Sequence, residues 1–352
     1  MRTLRPLLAV AVLAGYAWGA ARAADTADAH IKQGDSFLSG TRVDRALDEF
    51  REAVRLEPDN ARAHERLGAT YAVKDDYETA ILEEKTAVKL DPKYFLPHVI
   101  LGQIYTNQNK LEEAIAEFQQ AVALKPTSLR SHLDLGLALA SAGRLDDSLA
   151  AYKKASEMDP KEPAPYMNMG AVYSLKGQFK EAIQAEQKAL ELNKNLPEAY
   201  INMGNAQADL GDRQSAIRSF QTALKISPNH PKAHFGLGWM LLEKGDYKGA
   251  ITEEKKAIKV FPQLAPAHRR LALALEKSGD LPGAEKEFQE AIRLTPQDAT
   301  AHVEYAELLE KKGNTAEAIA HYKQALEISP KLKRAQDRMS ALSGSRSGGT
   351  AR

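Results

Sequence analysis

The feature that most constrains this chain is an internal period of 34 residues, which runs from Ala27 to Leu332 without an insertion or a deletion. Position 27 of each unit is Ala throughout, position 20 is Ala or Ser, and position 8 is Gly or Ala. A fixed period of this length is typical of a solenoid, in which each unit buries its apolar face only against its neighbours. The nine repeats span residues 27-60, 61-94, 95-128, 129-162, 163-196, 197-230, 231-264, 265-298 and 299-332.

The repeat at residues 231–264 illustrates how each unit is expected to fold. Its first half carries apolar residues at three- and four-residue spacing, which indicates an amphipathic helix. Gly245 ends that helix, because glycine readily adopts the left-handed conformation found at helix C-termini. A second helix follows, and Pro262 ends it before the next repeat. The turn position is Gly, Asn or Asp in every repeat except the first, where Thr41 stands beside Gly40.

The pattern resembles the tetratricopeptide repeat family from residue 24 to residue 342. The third repeat carries the family pattern at Leu101, Gly102, Tyr105, Ala114, Phe118, Ala121 and Pro126. The resemblance implies an all-α fold of the α-solenoid class, a right-handed superhelix of nine antiparallel helix pairs with the first helices lining its concave face. A capping helix is expected over residues 331–342, where an apolar spacing continues. The Ser- and Gly-rich residues 343–352 predict a disordered tail.

Residues 1–23 differ from the repeats and have the three parts of a secretory signal peptide. Arg2 and Arg5 give a basic start, an apolar run covers residues 7–14, and small residues precede the cleavage position. We predict cleavage after Ala23 and an exported protein of the bacterial periplasm, without a stable membrane span in the mature chain. The alternative is an uncleaved N-terminal anchor.

The composition excludes several classes of function. The chain has 48 Lys and Arg against 47 Asp and Glu, so no strong field would attract nucleic acid. It has no Cys, which excludes disulfides, thiolate metal sites and cysteine nucleophiles. Phosphate-binding loops ending in Gly-Lys-Ser/Thr, His-Glu-x-x-His and Gly-x-Ser-x-Gly are all absent from the sequence. We therefore expect a protein that is not an enzyme and that binds no cofactor.

Seven of the nine histidines occupy position 4 of the repeats, a place that Tyr166 and Tyr200 take in two others. A ladder of metal sites is one interpretation of such a row. Equivalent residues, however, lie a whole repeat apart, about two helix diameters of 8–10 Å each, which is too far to share one ion. We interpret the position as one that packs a planar, partly polar ring, and predict no metal site.

Position 24 departs from the pattern in three repeats. It is aromatic in six, but Glu84, Glu186 and Glu254 replace the aromatic residue in the second, fifth and seventh. The simplest interpretation is a shallow site in which the Glu stem packs and its head reaches water. A functional role for these acids is the alternative.

By the family's geometry, positions 2, 5, 6, 9, 12 and 13 face the concave groove. In repeats five to seven they give a candidate peptide-binding groove of Met167, Asn168, Ile201, Asn202, Asn205, Phe235 and Trp239. Asn amides can bond both the N–H and the C=O of an extended peptide, and apolar side chains can form pockets for its side chains. Solvated polar positions on ordinary helices are the alternative interpretation.

Charge along the predicted groove is uneven. Arg62 and Arg66 lie in an early repeat, Arg130 lies between, and Arg269 and Arg270 lie in a late one. The last repeat is acidic, with Glu304, Glu307 and Glu310. Chaperone-binding members of the family clamp a carboxylate with a set of Lys, Asn and Arg from three consecutive repeats. No three consecutive repeats here supply that set, so this role is not expected.

These observations favour a non-catalytic protein–protein interaction module that binds an extended peptide or partner segment in the concave groove. Two alternatives stay open. One is a structural scaffold that docks folded partners by its convex face or its ends, which a large apolar patch outside the groove would favour. The other is an accessory arm of an envelope glycosyltransferase or polysaccharide-export complex, suggested by analogy within the family.

Overall fold

The computed structural model describes residues 26–347, with side chains up to residue 342, and within them it has 19 helices and no strand. The predicted signal peptide and residues 348–352 lie outside the described residues. The chain divides after Ala142 into an N-terminal and a C-terminal section. The N-terminal section holds α1 (Ala27–Ser39), α2 (Val43–Leu56), α3 (Ala61–Val73), α4 (Tyr77–Leu90), α5 (Phe95–Asn107), α6 (Leu111–Leu124) and α7 (Leu129–Ser141). The C-terminal section holds α8 (Leu145–Met158), α9 (Ala164–Leu175), α10 (Phe179–Leu192), α11 (Pro197–Asp209), α12 (Arg213–Ile226), α13 (Pro231–Lys244), α14 (Tyr247–Val260), α15 (Ala265–Ser278), α16 (Leu281–Leu294), α17 (Ala299–Lys311), α18 (Thr315–Ile328) and α19 (Lys333–Ser347).

Each section is built from packed helix pairs, which confirms the predicted all-α fold. In the N-terminal section α1 packs on α2, α3 on α4 and α5 on α6, and each second helix also contacts the next first helix. The C-terminal section repeats this order from α9–α10 to α17–α18. Successive first helices also touch, as α9, α11, α13 and α15 do. The first helices therefore form a continuous row within each section.

Small residues let the paired helices approach closely. Ala at position 27 is fully buried in repeats such as the first, at Ala53, and the sixth, at Ala223. Gly at position 8 faces the side chain at position 24 so tightly that a Cβ added to Gly204 would lie 2.9 Å from Phe220 Cε1. A larger residue at Gly204 would therefore push Phe220 and its helix away.

The turn between paired helices uses a left-handed residue at position 15 in every repeat. Six of these residues are glycines, from Gly143 to Gly313, while Asp75 and Asn109 take φ values of 62° and 58°. In the first repeat Thr41 itself adopts φ 59°, whereas its neighbour Gly40 has φ −90°. Gly40 does not adopt the left-handed conformation in place of Thr41, because the geometry of the turn fixes which position is left-handed.

The last repeat is covered by α19, which begins at Lys333 and extends past residue 342, where the capping helix was expected to end. Ala335 is fully buried there, and Met339 and Leu342 pack against the apolar core of the last two repeats. Among the helices of residues 26–347, none is both long enough and apolar enough to cross a bilayer.

Candidate functional site

The histidines at position 4 join the two helices of their own repeat. In five repeats the imidazole Nδ1 lies 2.6–2.7 Å from a Glu oxygen at position 23, in the pairs His30–Glu49, His64–Glu83, His98–Glu117, His234–Glu253 and His268–Glu287. The sequence analysis missed these acidic partners. Within residues 26–347, no group of three or more His, Asp or Glu side chains is placed to hold a metal ion.

The second ring nitrogen has a partner as well. His64 Nε2 lies 2.9 Å from the carbonyl oxygen of Pro58, and His268 Nε2 lies 3.0 Å from that of Pro262. A carbonyl oxygen and an ionised carboxylate both accept, so both ring nitrogens must donate and the ring must be charged. The hydrogen bond that each histidine donates to Glu83 or Glu287 accordingly raises the pKa of that histidine. These histidines are structural ion-pair partners.

The three acids at position 24 are buried, so the expectation that their heads reach water is wrong. Glu84 and Glu186 have 0% of their surface exposed and Glu254 has 1%. Neither carboxyl oxygen of Glu84 or Glu254 has a hydrogen-bond partner. Burial raises the pKa of Glu84 to about 10 and that of Glu186 to about 8, and it also raises the pKa of Glu254. The carboxyl groups are thus held in their neutral form at neutral pH.

A glycine makes room for each buried acid. A Cβ added at Gly68, Gly170 or Gly238 would lie 2.6 Å from the Oε1 atom of the facing Glu. The acids therefore fill the same space between the helices that Phe fills elsewhere. Helical periodicity identifies the face on which position 24 lies, but it does not report how completely the neighbouring helices cover it.

In the C-terminal section, position 24 also meets position 6 of the following repeat. Asn202 Nδ2 donates to Glu186 Oε1 at 2.9 Å. A Cβ added at Gly236 would lie 2.4 Å from Phe220 Cε1. Position 6 of one repeat therefore packs directly against position 24 of the repeat before it. We call position 6 the floor of the predicted groove.

The predicted groove residues lie on α9, α11 and α13, three first helices that pack side by side. Asn205 is exposed, and five residues are partly exposed, namely Met167, Asn168, Asn202, Phe235 and Trp239. Ile201 is only 3% exposed and belongs to the apolar core with Leu237 and Met240. Its assignment to the groove was wrong, because α13 covers that side of α11. The structure brings the other six onto one row of helices.

Two predicted groove residues, Phe235 and Trp239, contact Arg270, which was noted in the sequence only for its charge. The Cζ atom of Arg270, on α15, lies 4.1 Å from the ring centroid of Phe235 and 4.4 Å from that of Trp239. Stacking of a guanidinium on aromatic rings is favourable and fixes its orientation. Phe235, Trp239 and Arg270 therefore form one unit on the row of first helices, which we call the arginine platform.

The acids of the last repeat are largely neutralised by arginines. Arg269 Nη1 donates to Glu304 at 2.9 Å, while Arg334 pairs with Glu307 and Arg338 with Glu310. The two latter arginines come from α19, which the sequence analysis treated only as a cap. The predicted acidic end of the groove is therefore locally balanced in charge.

The N-terminal section has a cavity at the same repeat positions, outside the region that the sequence analysis chose. It has a volume of about 180 Å³ and is lined by Gln103, Thr106, Asn107, Phe118, Arg130, Asp134, Leu137 and Ala138. Leu137 is 55% exposed at its rim. Asp134 is held by Arg130 Nε at 2.9 Å and Gln103 Nε2 at 3.1 Å. The exposed Leu at position 9 was the sequence signal that could have pointed to this cavity.

Comparison with known proteins identifies the repeat. A tetratricopeptide repeat model matches residues 31–95, 201–266 and 269–332, and a second TPR repeat model matches 102–143, 136–177 and 173–211. Two crystal structures share the fold at 16% identity: the Cut9–Hcn1 hetero-tetramer of the APC/C, and a tetratricopeptide repeat protein from Parabacteroides merdae. The first has a TM-score of 0.57 over 90% of this chain and 76% of that one. The second has a TM-score of 0.56 over 70% and 97%. No curated protein matches the chain.

Proposed function

The chain belongs to the tetratricopeptide repeat family of protein-interaction modules, and from this premise we propose that it holds an extended segment of a partner protein on its first helices and catalyses no reaction. The contact surface lies on α9, α11 and α13 of the C-terminal section. We call this surface, with the arginine platform beside it, the groove face.

The observation that carries the proposal is the row of partly exposed amide and apolar side chains on adjoining helices. Met167 and Asn168 lie on α9, Asn202 and Asn205 on α11, and Trp239 on α13. Successive first helices pack against each other, so these side chains form one surface rather than isolated positions. Amides can satisfy the backbone of an extended segment, and apolar groups can contact its side chains.

The groove face is held in place before binding. Glu186 fixes the amide of Asn202 from below, at 2.9 Å. Trp239 is stacked against Arg270, with the guanidinium carbon 4.4 Å from the ring centroid. A rigid surface leaves most of the cost of ordering to the bound segment, which favours affinity for a given contact area.

We further propose that the protein is exported and acts in the periplasm. The support is the N-terminal sequence, in which Arg2 and Arg5 precede an apolar run and small residues close the segment at Ala23. Mass spectrometry of the chain recovered from its native host tests this directly. A mass lower by the first 23 residues is the expected result, and an unprocessed chain would contradict it.

Capture of partners from a cell-envelope extract tests the binding surface. The bait variant Asn168→Ala/Asn205→Ala/Trp239→Ala removes groove-face contacts and leaves the amide of Asn202 on its buried acid. The matched control Gln184→Ala/Lys188→Ala changes exposed positions on α10.

Proteins captured by the unchanged chain and the α10 control, but lost from the groove variant at equal helicity, are the expected result. Capture that survives the groove variant and fails with the α10 variant would reject the groove. It would instead support a scaffold that docks folded partners by its outer surface.

A further inference from the structure

We propose that the groove face recognises an acidic side chain, Asp or Glu, of the bound segment through the guanidinium of Arg270. The inference rests on the proposed function, because it assigns the chemistry of the segment that the same surface holds. It is carried by the geometry and charge of the arginine platform.

The first step is that the guanidinium is fixed in place. Phe235 and Trp239 lie one turn apart on α13, and both rings are within 4.4 Å of the Arg270 Cζ atom. The side chains of all three residues are partly exposed. A guanidinium stacked on aromatic rings keeps its in-plane N–H groups available, and this planar fork matches the two oxygens of a carboxylate.

The second step is that no acid among residues 26–347 forms a hydrogen bond or a salt bridge with Arg270, although Glu254 attracts it electrostatically. Its neighbour Arg269 pairs with Glu304 at 2.9 Å and with Asp298 at 3.7 Å. Arg270, by contrast, forms no ion pair with any residue between 26 and 347, and its buried Nη1 lacks a hydrogen-bond partner. A fixed, partly desolvated charge with unused donors favours an incoming anion, because pairing recovers part of its desolvation cost.

The third step concerns Glu254, the one buried acid beneath the arginine platform. Glu254 and Arg270 attract each other electrostatically, but neither oxygen of Glu254 has a hydrogen-bond partner, and burial affects the pKa of Glu254 more strongly than Arg270 does. Burial raises the pKa of Glu254, which favours the neutral carboxyl. Arg270 retains its positive charge at neutral pH, as guanidinium groups do in proteins.

The fourth step distinguishes a carboxylate from a phosphate. Arg270 is attracted by Glu254 and, less strongly, by Glu243 and Glu304, and it is repelled by Arg269. One guanidinium can balance a singly charged side chain, whereas a dianionic phosphate would keep an excess negative charge after pairing with it. A segment with one acidic side chain among apolar neighbours therefore fits the arginine platform best.

Selection from a displayed library of random peptides, with both peptide ends joined to carrier sequence, tests the proposal on the full chain. We expect Asp or Glu to be enriched at one position among peptides selected by the unchanged protein. Enrichment should disappear with Arg270→Gln while apolar preferences persist. The matched control is Arg218→Gln, which removes the same charge from an exposed position on α12 whose side chain contacts Ser215.

Affinity measurements on one selected peptide and its Glu-to-Gln counterpart make the test quantitative. The unchanged protein and Arg218→Gln should prefer the acidic peptide roughly tenfold, Arg270→Gln should show no preference, and added salt should reduce the preference. If Arg270→Gln loses helicity, the preference of the unchanged protein decides, together with Arg270→Lys, which should keep the charge but weaken the preference.

Three results would overturn the inference. Selected peptides without an acidic preference, or with one that survives Arg270→Gln, would reject the role of Arg270 and leave the groove-face proposal standing. A stronger preference for a phosphorylated residue or for a free peptide C-terminus would reject the acidic side chain. Failure to select any peptide would reject the proposed function, and this inference with it.

Discussion

Repeats six and seven place different chemistry into the same space. In repeat six, Phe220 packs against Gly204, and in repeat seven Glu254 packs against Gly238; an added Cβ would lie 2.9 Å from Phe220 Cε1 and 2.6 Å from Glu254 Oε1. The residue at position 6 of the following repeat differs accordingly. Gly236 lies over Phe220, at a distance that excludes a side chain, whereas the equivalent residue over Glu254 is Arg270.

Helix packing fixes the space at position 24, while the polarity of the residue there follows the residue at position 6 of the next repeat. Glu186 and Asn202 show the same relation one pair earlier, with a direct hydrogen bond. A buried carboxyl without a partner costs about 1–3 kcal/mol in protein mutational data. Repeat seven therefore gives up stability at a place where the groove face gains a supported polar group.

The largest effect is expected from making repeat six resemble repeat seven. Phe220→Glu removes a fully buried ring and leaves a carboxyl beneath Gly236, which offers no polar group. We expect a loss of about 3–5 kcal/mol at neutral pH, measured by urea unfolding, with a smaller loss at pH 4 where the carboxyl is protonated. The control is Gln221→Glu, an exposed neighbour. If Phe220→Glu were as stable as the control, a buried acid would be tolerated equally in repeats six and seven, which would contradict the proposed link between positions 24 and 6.

The floor position gives the next effect. Gly236→Leu inserts a side chain whose Cβ would lie 2.4 Å from Phe220 Cε1. We expect overpacking to cost about 3 kcal/mol. The exposed substitution Lys232→Leu on the same helix should cost little. Arg270→Leu, at the equivalent position over the acid, should cost less than Gly236→Leu; equal losses at the two positions would contradict the link between positions 6 and 24.

In the second repeat, Glu84 is a buried acid whose two carboxyl oxygens have no hydrogen-bond partner. Its pKa is about 10 in the folded chain against 4.5 for the unperturbed group, so the folded state holds the extra proton. Stability therefore falls as pH rises from about 4.5 toward that value. Glu84→Gln should match the unchanged protein at pH 4 and be more stable by roughly 2 kcal/mol at pH 7.

Glu186→Gln is the comparison for that experiment. Its pH-dependent gain should stop growing near pH 8, whereas that of Glu84→Gln should continue to grow toward pH 10, because these are the folded pKa values of the two acids. A pH-independent gain for Glu84→Gln would show that its carboxyl is ionised in the folded protein and would contradict the assignment.

The smallest effect is expected at position 23, where repeat seven has Glu253 and repeat six has Ser219. Glu253 accepts a hydrogen bond from His234 Nδ1 at 2.6 Å. Ser219 instead donates to Gln207 and forms no hydrogen bond with Tyr200 at position 4. Glu253→Ala should cost about 1.5 kcal/mol in thermal unfolding. Ser219→Ala should cost less, and a larger loss for Ser219→Ala would reverse the order expected of the two repeats.

The sequence predicts the helices because its period reports packing directly. A strict period with small residues at positions 8, 20 and 27 leaves little freedom in where a helix starts, and α13 and α15 indeed begin at the first residue of their repeats. The correlation between Glu at position 23 and His at position 4 was also present in the sequence, as in Glu253 and His234.

The site was predicted less completely, for physical reasons. The average geometry of the family does not show which residues neighbouring helices cover in this chain. The burial of Ile201 in the core with residues of α13 was therefore missed. The depth of Glu254 was misjudged because burial at position 24 depends on a helix from the following repeat. The same long-range contact places Arg270 on Phe235 and Trp239, which no spacing within one repeat indicates.

We propose that partners contact the first helices of the C-terminal section. Photo-crosslinking in intact cells tests it most directly, with a photoreactive residue at Asn205 on α11 or, as the control, at Lys188 on the exposed side of α10. We expect a partner to be captured from position 205 and not from position 188. Capture from position 188 alone would contradict the groove-face proposal and assign recognition to the outer surface.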